Sequence, residues 1–418
     1  MTETARVTLD MSKPKGMNKR MLAARIANAK PSPTAAISDE ARRLRESGRN
    51  IINLGEGELD FPTPPHICDA AIGAINAGET KYTAVAGTKE LKKAIRQKFQ
   101  RDNDLIYSED EIIVTAGAKQ AIFNAFLATL EEHDEVIIPA PYWVSYPDMV
   151  SIAGGKPIII TCDEIADFKL KPAQLEASIT ANTKWLVLNS PSNPTGAMYS
   201  QSELIALVEV LDRHPNVHII ADDIYENIVY DGQFTSIASI SPDLRHRTLT
   251  VNGVSKCYSM TGWRVGYAGG PAWLIRAIET LQTQSTSNAS SISQAATIAA
   301  LNGDMEFAAD WMARLQTRRD RLLTAISATN GILSAKPPNS AFYIFANCAG
   351  AIGKRTPDGS MIETDIDMAS YLLGTAETAV IAGTAFGLSP YLRIAYAVDD
   401  ALLETACDNI ITACKSLT

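Results

Sequence analysis

No apolar run in the 418 residues approaches the roughly 20 that a membrane-spanning helix needs, which excludes an integral helical membrane protein. The first residues, among them Asp10, Lys13, Lys15, Lys19 and Arg20, lack the apolar core of a signal peptide, so a cytoplasmic protein is expected. The six cysteines (Cys68, Cys162, Cys257, Cys348, Cys407, Cys414) contain no CxxC pair. They read as reduced, mostly buried thiols rather than a metal site or a disulfide framework. His214 and His218 stand four apart, but Pro215 between them spoils the helix that would align them as ligands, and no metal is expected. Basic residues are in deficit, 38 Lys and Arg against 47 Asp and Glu, for a net charge of −9. That balance argues against nucleic acid or an anionic membrane as the main partner, while leaving room for a local cationic pocket. No internal repeat and no low-complexity tract is present.

What is present has the make-up of a soluble globular protein, with 46% hydrophobic and 20% charged residues. The length exceeds one ordinary core and predicts two domains. A short charged helix is expected over 38–47 with Ser38 as its N-cap. Apolar, β-branched runs then recur at 112–115, 136–139, 157–161, 185–189, 218–221 and 248–251, with helical patterns at 89–100, 120–130 and 202–212. Strand and helix in alternation predict an α/β protein with a mainly parallel sheet covered on both faces. In such sheets ligands sit beyond the carboxyl ends of the strands. After about residue 305 a long charged helix (306–329) leads into shorter elements, with strands expected at 341–345 and 392–397 and a loop over 350–363.

The most informative segment runs from Val251 to Arg264 (VNGVSKCYSMTGWR). An apolar stretch ends in a small polar turn that presents Lys256, and Arg264 follows eight residues later. A lysine becomes a competent Schiff-base former once burial or a neighbouring cation lowers its pKa, and arginine offers a rigid fork for phosphate. The pair suits a carbonyl cofactor that carries a phosphate. Four further positions follow strand runs. Asn193 lies in the proline-rich turn Asn189–Gly196, and Asp222 and Tyr225 are three apart after 218–221, on one side of a helical first turn. Ala116-Gly117-Ala118-Lys119 precedes a helix whose amides suit a phosphate, and Pro141-Tyr142-Trp143 sets an aromatic plane at the same sheet edge. Each has a plain structural alternative: a turn asparagine, an N-capping aspartate, a core tryptophan, a solvated lysine.

In this order, aromatic, Asn, Asp with Tyr, Lys, Arg, the chain resembles the class I, fold type I pyridoxal-phosphate aminotransferases from about Ala29 to Ala397. The motifs that carry the resemblance are Lys30-Pro31-Ser32-Pro33-Thr34, Gly57-Glu58-Leu59-Asp60-Phe61, Lys81-Tyr82-Thr83, Pro141-Tyr142-Trp143, Asn189–Gly196, Ala221–Glu226, Ser255–Arg264 and Arg393-Ile394-Ala395-Tyr396. Within the class it is most similar to bacterial aspartate aminotransferases whose members often accept prephenate. The resemblance implies a seven-stranded, mainly parallel sheet sandwiched by helices in a large domain (66–305). A smaller α+β domain (306–418) would be completed by an N-terminal arm (1–65). It implies pyridoxal 5′-phosphate held covalently by Lys256, which also moves the proton at the substrate Cα. Asp222 would face the pyridine nitrogen, Tyr225 and Asn193 the ring oxygen, and Trp143 the ring face. Arg264, Ser255 and the amides near Ala118 and Lys119 would hold the phosphate, with Tyr82 reaching in from a partner subunit of a homodimer. Arg393 would grip the substrate α-carboxylate, helped by the backbone at Gly57.

Lys119, Thr34 and Lys30 match positions associated in this subgroup with dicarboxylic substrates and prephenate. The expected reaction is ping-pong exchange of an amino group between L-aspartate or L-glutamate and oxaloacetate or 2-oxoglutarate. The sequence departs from the subgroup at Leu59, Ser340, Ala84 and Gly253, mostly beside substrate or dimer surfaces. Alternatives are an aminotransferase of the same fold for an aromatic or alanine-like amino acid, and a carbon–sulfur β-lyase that shares Lys256, Asp222, Tyr225 and Arg264. A regulator with an aminotransferase-like domain is disfavoured by the acidic charge and by the roughly 28 residues before Ala29.

Overall fold

The structure, a computed structural model, describes Met21, residues 23–27, Ala29 and residues 31–418. Twelve strands occur among them: β1 (Ile52–Asn53), β2 (Ile112–Thr115), β3 (Glu135–Ala140), β4 (Lys156–Thr161), β5 (Thr183–Asn189), β6 (His218–Asp222), β7 (Thr248–Gly253), β8 (Gly266–Gly269), β9 (Tyr343–Asn347), β10 (Thr378–Ala379), β11 (Ile381–Ala382) and β12 (Tyr391–Ala395). Seven form one sheet in the order β2-β8-β7-β6-β5-β3-β4. β8 runs antiparallel to both neighbours, and the remaining pairs are parallel. The central strands read as near-continuous apolar runs because helices cover both faces. All six residues of β7 and all four of β2 are buried, whereas β4, at the edge, exposes three of its six. The expected α/β architecture with a seven-stranded, mainly parallel sheet and a smaller α+β lobe is what the chain adopts.

Several expected bounds shift for local reasons. The first helix after the N-terminal segment spans Pro33–Glu46 and is capped by Ser32, whose hydroxyl accepts the Ala35 amide, not by Ser38. Pro33 at the first helical position loses no hydrogen bond and is already set for the helix, so the start moves back six residues. The segment after β6 is not a helical first turn. Residues 223–228 form two successive hydrogen-bonded turns, the Glu226 amide on the Asp223 carbonyl (3.0 Å) and the Ile228 amide on the Tyr225 carbonyl (2.8 Å), and no helix grows from them. The six cysteines are free thiols, five of them buried. No helix among the described residues is long and apolar enough to cross a membrane.

The smaller lobe draws on widely separated parts of the chain. β1 pairs with β10 in parallel, and β11, β12 and β9 form a three-stranded antiparallel sheet. Helices Glu306–Ser327 and Asp400–Lys415 pack together beside it. Arg318, 1% exposed, ties these parts together. It forks onto both oxygens of Asp60 (2.7 and 2.9 Å), bonds Asp400 (2.8 Å) and lies over the Phe61 ring. Its alanine variant is expected to lose about 2–3 kcal/mol of stability. That is less than the usual cost of breaking a fully buried pair, because both acidic partners are partly solvated. Chemical denaturation of the cofactor-free protein measures it, and a loss under about 0.5 kcal/mol would show that the bridge carries no such weight.

Candidate active site

The carboxyl ends of β3, β5, β6 and β7 open into a cleft of about 350 Å³ between the sheet and the smaller lobe. Twelve of the expected residues line it: Thr34, Gly57, Ala118, Lys119, Trp143, Asn193, Asp222, Tyr225, Ser255, Lys256, Arg264 and Arg393. Tyr82 does not; it stands 92% exposed on the surface. Lys30 lies outside the described residues.

Asp222 is the last residue of β6, buried at the cleft floor. One carboxylate oxygen accepts from the Tyr146 hydroxyl (2.5 Å), while Oδ1 is buried without a hydrogen-bond partner. Burial pushes the carboxyl up to about 6, against the pull of Tyr146, the Ile224 amide and Lys256. An unpartnered buried carboxylate oxygen is costly, so this one is held ready for a cationic N–H. No helix starts directly after β6, so the carboxylate caps none and the N-cap alternative falls away.

Lys256 follows β7 by three residues, and its ammonium donates to the Gly57 carbonyl (2.5 Å). Burial lowers the amine to about 8; Arg393 and Arg264 push the same way, and Glu58 and Asp222 oppose. At neutral pH a larger share of such an amine is neutral than of an ordinary lysine. Lysine is a nucleophile only in that form.

The end of the cleft at Arg264 is built from close backbone approaches. Gly117, with φ +87°, starts the helix Ala118–Thr129. A Cβ at Gly117 would come within 2.6 Å of Arg264 Nη2, which sets the guanidinium tip against the helix N-terminus, and the positive φ favours glycine there. Arg264 also bonds the Thr261 carbonyl (2.9 Å). Exposed helix amides, a guanidinium and Ser255 make an anion cradle. Lys119 stands at the rim with its ammonium 4.8 Å above the Trp143 ring. Burial of that end, then the charge of Arg264, lowers its pKa.

Across the cleft Arg393, 2% exposed on β12, sits between the rings of Tyr343 (4.8 Å) and Phe386 (5.0 Å). Its guanidinium donates to Asn193 Oδ1 (3.0 Å) and to the Gly55 carbonyl, and Nε has no partner. Asn193 is held through its amide on Asn189 Oδ1 (2.8 Å), and Asn189 donates to the Asp222 carbonyl (2.9 Å). One chain of hydrogen bonds therefore joins the floor of the cleft to its arginine wall. Asn193 turns its carbonyl oxygen toward this arginine.

Sequence reasoning missed Tyr146, Tyr343, Glu56 and Glu58 as site residues. Tyr146 stands three after Trp143, a spacing that lets one turn bring the two rings together (5.2 Å) and was the one available signal. Tyr343 pairs with Tyr225 (2.8 Å) across 118 residues of chain, for which no local pattern exists.

The sequence model of the family described as aminotransferase class I and II matches residues 49–410. The chain is 52% identical over 396 residues to an aspartate aminotransferase of Rhizobium meliloti, covering 94% of this chain and 96% of that one. It is likewise 52% identical over 393 residues to an aspartate/prephenate aminotransferase of Cereibacter sphaeroides, covering 94% and 98%. The crystal structure of the aspartate aminotransferase from Rhizobium meliloti superposes with a TM-score of 0.92, covering 95% of this chain and 99% of that one. The Thermus thermophilus aspartate aminotransferase with maleate does so at 0.88 with 37% identity, covering 94% and 99%. Matched along nearly its whole length in both sequence and shape, the chain belongs to the class I and II aminotransferases.

Proposed function

We propose that the protein transfers the amino group of L-aspartate or L-glutamate to oxaloacetate or 2-oxoglutarate by a ping-pong mechanism, with pyridoxal 5′-phosphate as cofactor and prephenate as a further acceptor. The observation that carries this reading is the joint placement of Lys256, Asp222, Arg264 and Arg393 in one cleft. The site fits the cofactor on its own geometry. Asp222 Oδ1 is buried and unpartnered, and a Cβ at Gly117 would fill the phosphate cradle.

When bound, the cofactor supplies a carbonyl for an amine to attack and a conjugated ring that accepts the electron pair left at the substrate Cα. The protein supplies the rest. Lys256 is the attacking amine and afterwards carries the proton to and from the substrate Cα. Asp222 holds a proton on the ring nitrogen, and Tyr225 with Asn193 meets the ring oxygen. Trp143 covers one face of the ring. Arg264, Ser255 and the amides at Ala118 and Lys119 hold the phosphate. Arg393 grips the α-carboxylate through its fork, beside the Gly57 backbone. Lys119 and Thr34 line the same cleft and are assigned, with Lys30, to the second substrate carboxylate. Maleate, named with the Thermus structure, is itself a dicarboxylate. The exposed ring of Tyr82 suits a homodimer in which it completes the partner's phosphate site.

The test is the visible spectrum of cofactor-loaded protein before and after adding L-aspartate without a keto acid. Conversion of the lysine-bound band to the amine form supports the reading; a band that ignores aspartate and glutamate overturns the dicarboxylate assignment. Lys119→Ala is expected to lower kcat/KM for aspartate about tenfold or more while changing that for alanine less than about twofold. An equal loss for both, measured by steady-state kinetics, removes Lys119 from the distal-carboxylate role.

A further inference from the structure

Tyr343 lines the cleft between Tyr225 and Arg393 and touches both. It is fully buried on β9, and its hydroxyl lies 2.8 Å from the Tyr225 hydroxyl. Its ring face carries the Arg393 guanidinium. Its hydroxyl also lies against Gly57: a Cβ there would come within 2.6 Å of the oxygen but 3.6 Å from the nearest ring carbon. A single phenol thus meets the large-lobe turn that bears Tyr225, the small-lobe arginine and the loop whose carbonyl holds Lys256.

Each phenol has one proton. Among the described residues Tyr225 is the only hydrogen-bonding partner of the Tyr343 hydroxyl. If Tyr225 gives its proton to the cofactor's ring oxygen, the remaining proton of the pair is that of Tyr343, and its acceptor is the Tyr225 oxygen. A hydrogen bond received at that oxygen polarises the Tyr225 O–H and makes it the stronger donor.

We propose that Tyr343 is a positioning residue that commits the Tyr225 phenol to donate into the cofactor site, and that it does so by giving its own proton to the Tyr225 oxygen. The inference rests on the proposed function. It deepens that reading by naming a residue that acts through Tyr225 without touching the reacting atoms. Other charged groups bear on the same spot. Arg393 lies over the Tyr343 ring, Asp222 acts on Tyr225, Lys256 lies 6.0 Å above the Tyr225 ring, and Glu58 and Arg264 act on Lys256. Tyr343→Phe leaves all of these in place and removes one hydroxyl.

The experiment is a pH titration of the visible absorbance of cofactor-loaded protein, for wild type, Tyr343→Phe, Tyr225→Phe and the double variant. A donor to the ring oxygen favours the form in which that oxygen is negative, so weakening the donor raises the midpoint. The expected result is an upward shift of about half a pH unit or more in Tyr343→Phe. No further shift is expected when the same change is made in the Tyr225→Phe background. A wild-type band with an unmoved midpoint in Tyr343→Phe overturns the inference and leaves the proposed function standing. So does a shift of equal size with and without Tyr225. A wild-type protein that shows no lysine-bound band overturns the proposed function and the inference together.

Discussion

Lys256→Ala is expected to yield a protein that binds the cofactor and does not turn over, with the rate reduced by at least about 10⁴-fold. A placed proton-transfer group alone is worth about 10²–10⁴-fold, and the same side chain is also the attacking amine. Neither task has a substitute within reach. Arg264 has its guanidinium bonded to the Thr261 carbonyl, Tyr225 is buried with its phenol pushed well above the ordinary range, and Lys119 stands at the rim over Trp143. Retention of the cofactor follows from geometry that the variant does not disturb: the glycine at 117, the Arg264 fork and the unpartnered Asp222 oxygen. Gel filtration of the loaded variant followed by single-turnover kinetics measures both halves. A variant retaining a tenth of wild-type rate would remove Lys256 from the centre of the mechanism.

The second large effect is expected at Arg393. Truncating a buried, hydrogen-bonded charged partner costs about 2–5 kcal/mol, so Arg393→Ala lowers kcat/KM roughly 30- to 4000-fold. The loss falls on the amino acid and the keto acid alike, because both present a carboxylate at the same place. Cofactor affinity is expected to hold, since the guanidinium belongs to the wall opposite the phosphate cradle. Arg393→Lys is expected to recover little, because one ammonium cannot reproduce a fork that also bonds Asn193 and Gly55 while lying between two rings. Steady-state kinetics with aspartate and 2-oxoglutarate, beside a cofactor-binding titration, separates the two claims. An unchanged kcat/KM would mean that the α-carboxylate is held elsewhere.

What the sequence revealed and what it concealed follow the range of the interactions involved. The buried strands were legible as apolar runs because both of their faces are covered, and Asp222 and Lys256 were legible as polar residues just beyond the ends of those runs. The capping of the Pro33 helix went astray because Ser32 and Ser38 both precede helix-forming stretches, and the proline decides between them. Asp222 and Tyr225 do face the same cleft, but through a pair of consecutive turns rather than a helix. The chain then leaves these turns because Ile228 packs into the smaller lobe's core and Val229 bridges to Ser340. Tyr146 meets Asp222 across 76 residues and Tyr343 meets Tyr225 across 118, so those pairings are products of the packed lobes rather than of any local pattern.

The pairing of β1 with β10 sets an order of events for the growing chain. The strand Ile52–Asn53, the Gly55 carbonyl and Asp60 find their partners at Thr378–Ala379, Arg393 and Arg318, more than 250 residues further on. A ribosome makes the sheet and the phosphate cradle long before it makes those partners, and domains condense as they emerge. The sheet that carries Asp222 and Lys256 is therefore made first. The wall that carries Arg393 closes over it only when the two distant stretches meet, so completion of the cleft waits for the last part of the chain.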